Sequence, residues 1–143
     1  MLVSQIIKDK GDDVFTVAPS DSIAEAARHL RERRIGALVV KDAEGAVAGI
    51  LSERDIVWGL AEHGPKALEM PVSSCMTKDV LTAQPHETVD ELMGRRPDKR
   101  VRHLPVARDG TLCGIVSIGD LVKHKIGEIE AEAQNLKDYI AAG

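Results

Sequence analysis

The same order of hydrophobic and polar positions occurs twice along the chain. Residues 19–57 begin with Pro-Ser-Asp-Ser-Ile-Ala-Glu and end with Gly-Ile-Leu-Ser-Glu-Arg-Asp-Ile-Val, and residues 85–122 run in parallel from Pro-His-Glu-Thr-Val-Asp-Glu to Gly-Ile-Val-Ser-Ile-Gly-Asp-Leu-Val. The offset is 66 residues at the prolines that open the repeats and 65 at the aspartates near their ends, so one residue is lost in a turn. Because a unit of this size buries its own apolar face poorly, we expect the two copies to stack and leave pseudo-symmetric clefts between them.

Each repeat predicts a strand, a helix, two further strands and a second helix. Ser22 and Glu25 form a capping box at the start of the first helix, and Thr88 and Glu91 repeat it in the second copy. Two apolar runs then flank a polar turn that contains glycine, which indicates a β-hairpin. The helix after Ser22 has core-facing apolar residues at Ile23, Ala26, Ala27 and Leu30. The predicted fold is α+β, with two tandem β-α-β-β-α repeats followed by a helix.

The boundaries follow from the repeat and from the segments before each first strand, which also align with each other. The second copy departs from the first at Gly94 and Pro97, so its first helix is expected to end or kink near Arg95 and leave a basic loop at residues 95–100. The predicted segments are residues 1–64 for the first repeat, 65–71 for a linker, 72–125 for the second repeat and 126–143 for a C-terminal helical extension.

From Val122 onward the chain is predicted to continue as a helix with apolar residues at alternating spacings of four and three. They are Val122, Ile126, Ile129, Ala133, Leu136 and Ile140. This spacing predicts a coiled-coil-like contact with another helix. Since fewer than three heptads are present, an amphipathic helix that lies on its own lobe is the alternative.

The composition excludes several classes of protein. The chain has 143 residues, 43% of them apolar, and a net charge of -4, which fits one globular unit and gives no general attraction to DNA or anionic membranes. Aromatic residues make up 2%, too few for base-stacking platforms. Neither a membrane-spanning run nor a secretory signal is visible, so a cytoplasmic location is expected. The two cysteines and five histidines show no metal-ligand spacing.

A Gly-Ile-x-Ser-x-x-Asp motif follows the third strand of each repeat. Ser52 and Asp55 belong to the first copy, and Ser117 and Asp120 to the second. A serine three residues before an acid is first an N-cap signature. The same helix N-terminus offers free N–H groups to a phosphate, and the carboxylate suits the two hydroxyls of a ribose. Both interpretations apply to the same residues.

The order of these motifs resembles the CBS domain, and two in tandem resemble a Bateman module. The similarity covers residues 1–125 and includes the strand before each proline, the Arg-Ile-Gly-Ala-Leu-Val-Val and Arg-Val-Arg-His-Leu-Pro-Val segments, and both Ser-x-x-Asp motifs. The resemblance implies two repeats packed sheet to sheet about a pseudo-twofold axis. It also implies an adenosyl ligand, such as AMP, ADP, ATP, NAD(H) or S-adenosylmethionine, in the clefts between them, and a homodimer.

The resemblance implies a set of ligand-binding residues in each repeat. Asp55 and Asp120 are expected to bind ribose hydroxyls, and Arg54 to neutralise a phosphate that its counterpart Gly119 cannot reach. Arg102 either reaches a phosphate or crowds its cleft, and His103 either faces a base or fills the lobe interface. The full set is Thr16, Val17, Ala18, Ile35, Gly36, Ala37, Ser52, Arg54, Asp55, Thr82, Gln84, Val101, Arg102, His103, Ser117 and Asp120.

Nothing in the sequence supports catalysis, because nucleophile triads, Walker loops and metal clusters are all lacking. We therefore predict a regulatory module, not an enzyme, that senses an adenine nucleotide and signals to an unidentified partner protein by a conformational change. The alternative is a ligand-free dimerisation or interaction module with occluded clefts. Nucleic-acid binding has only the basic stretch at residues 95–102 in its favour, and steep salt dependence would be its sign.

Overall fold

Five helices and five strands are seen among residues 1–10, 14–78, 80–95 and 102–142, which the computed structural model describes. Their order is α1 (Val3–Lys10), β1 (Thr16–Val17), α2 (Ile23–Arg33), β2 (Ala37–Lys41), β3 (Val47–Ser52), α3 (Glu53–His63), α4 (Val89–Arg95), β4 (His103–Arg108), β5 (Thr111–Ser117) and α5 (Ile118–Ala142), with 3-10 turns at Gly64–Glu69 and Val72–Ser74. The predicted fold class is confirmed, with two small sheets flanked by helices and a long C-terminal helix.

The first repeat is built on a three-stranded sheet in which β2 pairs with β1 in parallel and with β3 antiparallel. The hairpin turn forms because the Asp42 carboxylate accepts hydrogen bonds from the N–H groups of Glu44 and Ala46, both at 3.0 Å. Gly45 supplies the positive φ of 84° that this turn requires. At the start of α2, the Ser22 hydroxyl accepts the Glu25 N–H at 3.1 Å, which is one of the two bonds of the predicted capping box.

The second repeat keeps the antiparallel hairpin, β4 with β5, but its predicted first strand is reduced to one parallel bridge between Ala83 and Val106. Pro105 gives the physical reason. Its counterpart Val39 donates its N–H to the Phe15 carbonyl at 3.3 Å, and proline has no N–H to donate. The strand that opens the second repeat is therefore shorter than its counterpart, because one residue of the pairing strand lacks the necessary donor.

Each hydrophobic core is completed by the segment that opens the other repeat in the chain. Val3 and Ile6 of α1 are fully buried in the core of the second repeat, whereas Val72 is fully buried in the core of the first. Equivalent backbone bonds hold the two segments, from the Val3 N–H to the Glu87 carbonyl and from the Val72 N–H to the Asp21 carbonyl, both 2.8 Å. The two repeats therefore share structural elements, although the sequence repeats them one after the other.

The C-terminal helix begins within the second repeat and leaves it. Leu121 is buried in that repeat's core, whereas every residue from 130 to 142 is exposed. The predicted extension is thus continuous with the last helix of the repeat, and its outer half does not lie on its own lobe. No helix within the described ranges has the length and apolar character needed to cross a membrane.

The predictions at Pro97 and in the basic loop at residues 96–100 lie outside the described residues. The described part of α4 reaches Arg95. The end or kink predicted near this residue stays a prediction.

Candidate functional site

Reciprocal hydrogen bonds join the serine and the aspartate of each Ser-x-x-Asp motif at the N-terminus of a helix. At α3 the Ser52 hydroxyl accepts the Asp55 N–H at 3.2 Å, and the Asp55 carboxylate accepts the Ser52 N–H at 2.9 Å. At α5 the corresponding bonds between Ser117 and Asp120 are 3.0 and 2.9 Å. The N-cap interpretation is therefore confirmed for both pairs. Each carboxylate is half-buried and held at a positive helix end.

The residues before β2 and β4 lie directly against these caps. The Gly36 carbonyl accepts the Glu53 N–H at 3.0 Å, and the Arg102 carbonyl accepts the Ile118 N–H at 2.8 Å. In the sheets, Ala37 pairs with Ser52. His103 pairs with Ser117 in the same way. Two parts of the predicted site that are separate in sequence thus come together in each repeat.

The predicted site residues at β1 and at the equivalent segment of the second repeat differ in how far their side chains are exposed. Thr16, Thr82 and Gln84 are exposed, whereas Val17 belongs to the hydrophobic core of the first repeat. Ala18 is half-buried and donates its N–H to the Asp21 carboxylate at 2.9 Å. The side chain of Val17 therefore contributes to packing, whereas those of Thr16, Thr82 and Gln84 lie at the surface.

The two repeats meet where β2 and β4 begin. A methyl group placed at Gly36 would lie 3.7 Å from Nε2 of His103, which is half-buried. Arg102 is exposed, and Val101 lies outside the described residues. His103 thus lies at the interface between the two repeats.

The charged surroundings of the two caps are unequal. Arg54, half-buried, places its guanidinium 5.9 Å from the centre of the Trp58 ring, within the range of a cation–π contact. Its counterpart in the second repeat is Gly119, which has no side chain. The first cap therefore has a cation one residue from its carboxylate, which the second cap lacks.

Thr77 is a further contact of Asp55 that sequence reasoning missed. Its hydroxyl donates to the Asp55 carboxylate at distances of 3.3 and 3.5 Å to the two oxygens. Thr77 belongs to the segment that crosses from the second repeat to the first, and alignment of that segment with the N-terminus puts Lys8 at the equivalent position. The sequence shows that threonine and lysine differ at this position, but only the fold shows that the threonine contacts Asp55.

Cys75 lies behind the first cap, packed against α3. Its Sγ would be 2.9 Å from a methyl group at Gly59. Burial raises the pKa of the thiol, and the negative charges of Asp55 and Glu62 raise it further. The thiol is thus held in its protonated form close to the Asp55 carboxylate.

These features define a pair of CBS domains, and the comparisons with known proteins agree. The family model described as "CBS domain" matches residues 3–62 and again residues 72–127. The chain belongs to the CBS domain family. A mitochondrial CBS-domain protein of Arabidopsis thaliana is 32% identical over 99% of this chain and 72% of its own length.

Solved structures share both the fold and the tandem arrangement. The crystal structure of a CBS-domain protein from Agrobacterium tumefaciens is 47% identical, with a TM-score of 0.80 over 87% of this chain and 92% of that one. The CBS domain pair of protein MJ0100, solved in complex with 5'-methylthioadenosine and S-adenosyl-L-methionine, is 28% identical, with a TM-score of 0.77 over 90% of this chain and 98% of that one. None of the three relatives named here carries the name of an enzyme.

Proposed function

We propose that this protein is a regulatory module that binds an adenosyl ligand at the two Ser-Asp caps and signals to a partner protein through a change in the relative position of its repeats. The observation that carries the proposal is the repeated joining of a half-buried carboxylate, a helix N-terminus and the pre-strand backbone in both repeats. A carboxylate accepts hydrogen bonds from vicinal hydroxyls, and a helix N-terminus attracts a phosphate or other anion. A ribose-containing ligand with an anionic group matches both.

The related CBS pair solved with S-adenosyl-L-methionine and 5'-methylthioadenosine supports an adenosyl group as the common element. AMP, ADP, ATP, NAD(H) and S-adenosylmethionine all contain it. Arg54 favours a phosphate-bearing member of this set in the first cleft, because a guanidinium pairs well with phosphate oxygens. At the second cap the residue equivalent to Arg54 is Gly119, which has no side chain that could pair with a phosphate.

Signalling requires that the ligand bind two arrangements of the repeats with different affinities. The contact between Gly36 and His103 joins the repeats close to both caps. A ligand bound beside Ser52 or Ser117 would touch the interface through the adjoining pre-strand residues. The partner that responds is a protein other than this chain, and the cytoplasm remains the location predicted from the sequence.

We also propose that the protein functions as a homodimer. Apolar side chains on the outer face of α3 are exposed, with Val57 at 61% and Trp58 at 51%. Val122 and Ile126 of α5 are exposed in the same way, at 40% and 51%. Exposed apolar surface on two pseudo-equivalent helices is the kind of face that a second copy covers.

The experiment that tests ligand binding combines thermal unfolding with calorimetry. A ligand that binds only the folded protein at 100 times its Kd stabilises it by about 2.7 kcal/mol, which raises the melting temperature measurably. We expect a rise with one or two of AMP, ADP, ATP, NAD, NADH and S-adenosylmethionine and none with the guanosine analogues. A uniform lack of response would support the occluded interaction module instead.

Two variants locate the sites without removing the caps. Asp55→Asn and Asp120→Asn keep an oxygen that can accept the serine N–H but lose the charge and one acceptor. Each is expected to weaken its own site at least about tenfold by calorimetry, since charge-assisted bonds are the stronger kind. Glu44→Gln, on the exposed hairpin turn, is the matched control. Unchanged affinity in both cap variants would refute the ribose assignment.

A further inference from the structure

The outer half of α5 has an apolar stripe that its own chain leaves uncovered. Ile129, Leu136 and Ile140 are 54%, 60% and 68% exposed. On the opposite face the Gln134 amide donates to the Asp138 carboxylate at 3.0 Å, a bond within the helix itself. The apolar face of this half of the helix is thus uncovered by its own chain.

The contacts that hold α5 to the second repeat are confined to its first half. Leu121 is buried, and the Lys125 ammonium lies 2.9 Å from the Asp90 carboxylate and 3.7 Å from that of Glu128. Residues 130–142 are all exposed. Because most of the stability of a helix in a protein comes from packing of its apolar face, a surface that covers the stripe would stabilise the projecting half.

The charges beside the stripe indicate what that surface is. If Ile126, Ala133 and Ile140 are heptad a positions and Val122, Ile129 and Leu136 are d positions, the flanking g positions are Lys125 and Glu132, and the flanking e positions are Lys123, Glu130 and Lys137. In a parallel in-register pair, each g residue faces the e residue five positions later on the other helix. Lys125 then faces Glu130, and Glu132 faces Lys137, so both contacts join opposite charges.

We propose that α5 pairs with the α5 of a second copy of this chain as a short parallel, in-register coiled coil. Parallel pairing covers all six stripe positions and makes each attractive contact twice by symmetry. Antiparallel pairing of the projecting halves would cover only the four stripe positions from Ile129 onward, and would keep Glu130 opposite Lys137 while Glu132 faced Tyr139. The parallel arrangement therefore uses more of the stripe and more of the charges.

Site-directed disulfide formation in the full-length protein tests the pairing directly. In the parallel arrangement residue 129 of one copy lies beside residue 129 of the other, whereas in the antiparallel arrangement it lies near residue 140. We expect Ile129→Cys to form covalent dimers under mild oxidation. Ala131→Cys, on the outer f position two residues away, is the matched control and should not form covalent dimers. The wild-type protein shows how much cross-linking comes from Cys75 and Cys113.

Charge reversal in the Ile129→Cys protein then tests the register. Glu132→Lys would face Lys137 of the second copy, and we expect it to weaken association about tenfold, since two attractive pairs become repulsive. Adding Lys137→Glu should restore cross-linking. Dimers that fail to form at position 129, that form equally at position 131, or that ignore Glu132→Lys would each overturn the proposal. Cross-linking is measured without nucleotide, so its result tests the coiled coil independently of the proposed ligand binding.

Discussion

Gly49 and Gly114 occupy equivalent positions in the two repeats but face different kinds of neighbour. A methyl group at Gly49 would lie 2.5 Å from the carbonyl oxygen of Thr77 and 3.0 Å from the sulfur of Met76. At Gly114 the nearest atoms belong to the side chain of Ile7. Backbone cannot move as easily as a flexible side chain, so the two positions should differ in their tolerance of alanine.

We predict that Gly49→Ala lowers the free energy of unfolding by roughly 1 to 3 kcal/mol, the usual cost of an overpacked core. Gly114→Ala should cost less, because Ile7 can change rotamer. Gly127→Ala is the control, since nothing lies within 4 Å of a methyl group there and alanine favours the helix. Urea denaturation followed by circular dichroism gives the three values. Equal stability of Gly49→Ala and wild type would contradict the contact with Thr77.

The Cys75 thiol should report on the charge of Asp55. Its pKa is raised above the ordinary 9.0, chiefly by burial and further by Asp55 and Glu62. Since the thiolate is the reactive form, Cys75 should be alkylated slowly at pH 8, and Asp55→Asn should move the midpoint of its rate profile to lower pH. Mass spectrometry of the digested protein measures both cysteines, with the Cys113 peptide as reference. An unmoved midpoint would show that Asp55 does not act on this thiol.

The same raised pKa has a consequence for stability. Above pH 9 the Cys75 thiol loses its proton in the unfolded protein but keeps it in the folded protein. The folded state therefore binds more protons than the unfolded state. The contribution of Cys75 is therefore present below pH 9 and is lost as pH rises through the pKa of the folded protein. Urea midpoints of the wild type and of Cys75→Ser, measured across pH 8 to 10, test this: the wild-type midpoint should fall more with rising pH than the midpoint of the variant.

The caps were predictable from the sequence because their hydrogen bonds join residues three positions apart. Ser52 with Asp55 and Ser117 with Asp120 need only a helix to begin at the right place. Thr77 was not predictable in this way, since 22 residues separate it from Asp55 and the fold alone brings them together. Local rules thus identify the caps, and tertiary contacts decide what else touches them.

The helices and hairpins likewise follow from apolar spacing and turn residues, whereas the exchange of segments between repeats does not. Residues 3–7 and 72–76 align as equivalent segments, but the alignment does not show which hydrophobic core each segment joins. The loss of the strand at Ala83 is a similar case, because its cause lies at Pro105 in another strand. Pairing partners, rather than local propensity, set these features.

Exchange of segments predicts that the repeats unfold together. Val3→Ala removes buried methyl groups from the core of the second repeat, at a cost of about 2 kcal/mol, although Val3 lies at the start of the first repeat in the chain. Each core depends on a segment tied to the other repeat. We therefore expect the unfolding midpoint followed by Trp58 fluorescence, which reports on the first repeat, to shift as far as the midpoint followed by circular dichroism at 222 nm. Met93→Ala, at an exposed position, is the control. Separate transitions in Val3→Ala would refute the coupling.

Pseudo-symmetry relates the two Ser-Asp caps in backbone but not in residue type, and under the proposed function this difference bears on which ligand each cap would bind. Arg54 and Thr77 flank the first cap, where the second has Gly119 and Lys8 at the aligned positions. Two sites with one backbone geometry and different charges can bind two ligands of one chemical family with different affinities. A ratio of ligands, and not merely the amount of one, could then set the arrangement of the repeats.

If Arg54 binds phosphate, its loss should affect only ligands that carry one. We predict that Arg54→Ala weakens ATP binding at the first cap by about tenfold, the effect of one charge-assisted hydrogen bond, and leaves adenosine binding unchanged. Calorimetry with both ligands measures this, and Arg28→Ala, on the exposed face of α2, controls for net charge. Equal losses for ATP and adenosine would instead assign Arg54 to packing against Trp58, because a cation held on an aromatic ring stabilises the helix N-terminus whether or not a phosphate is bound.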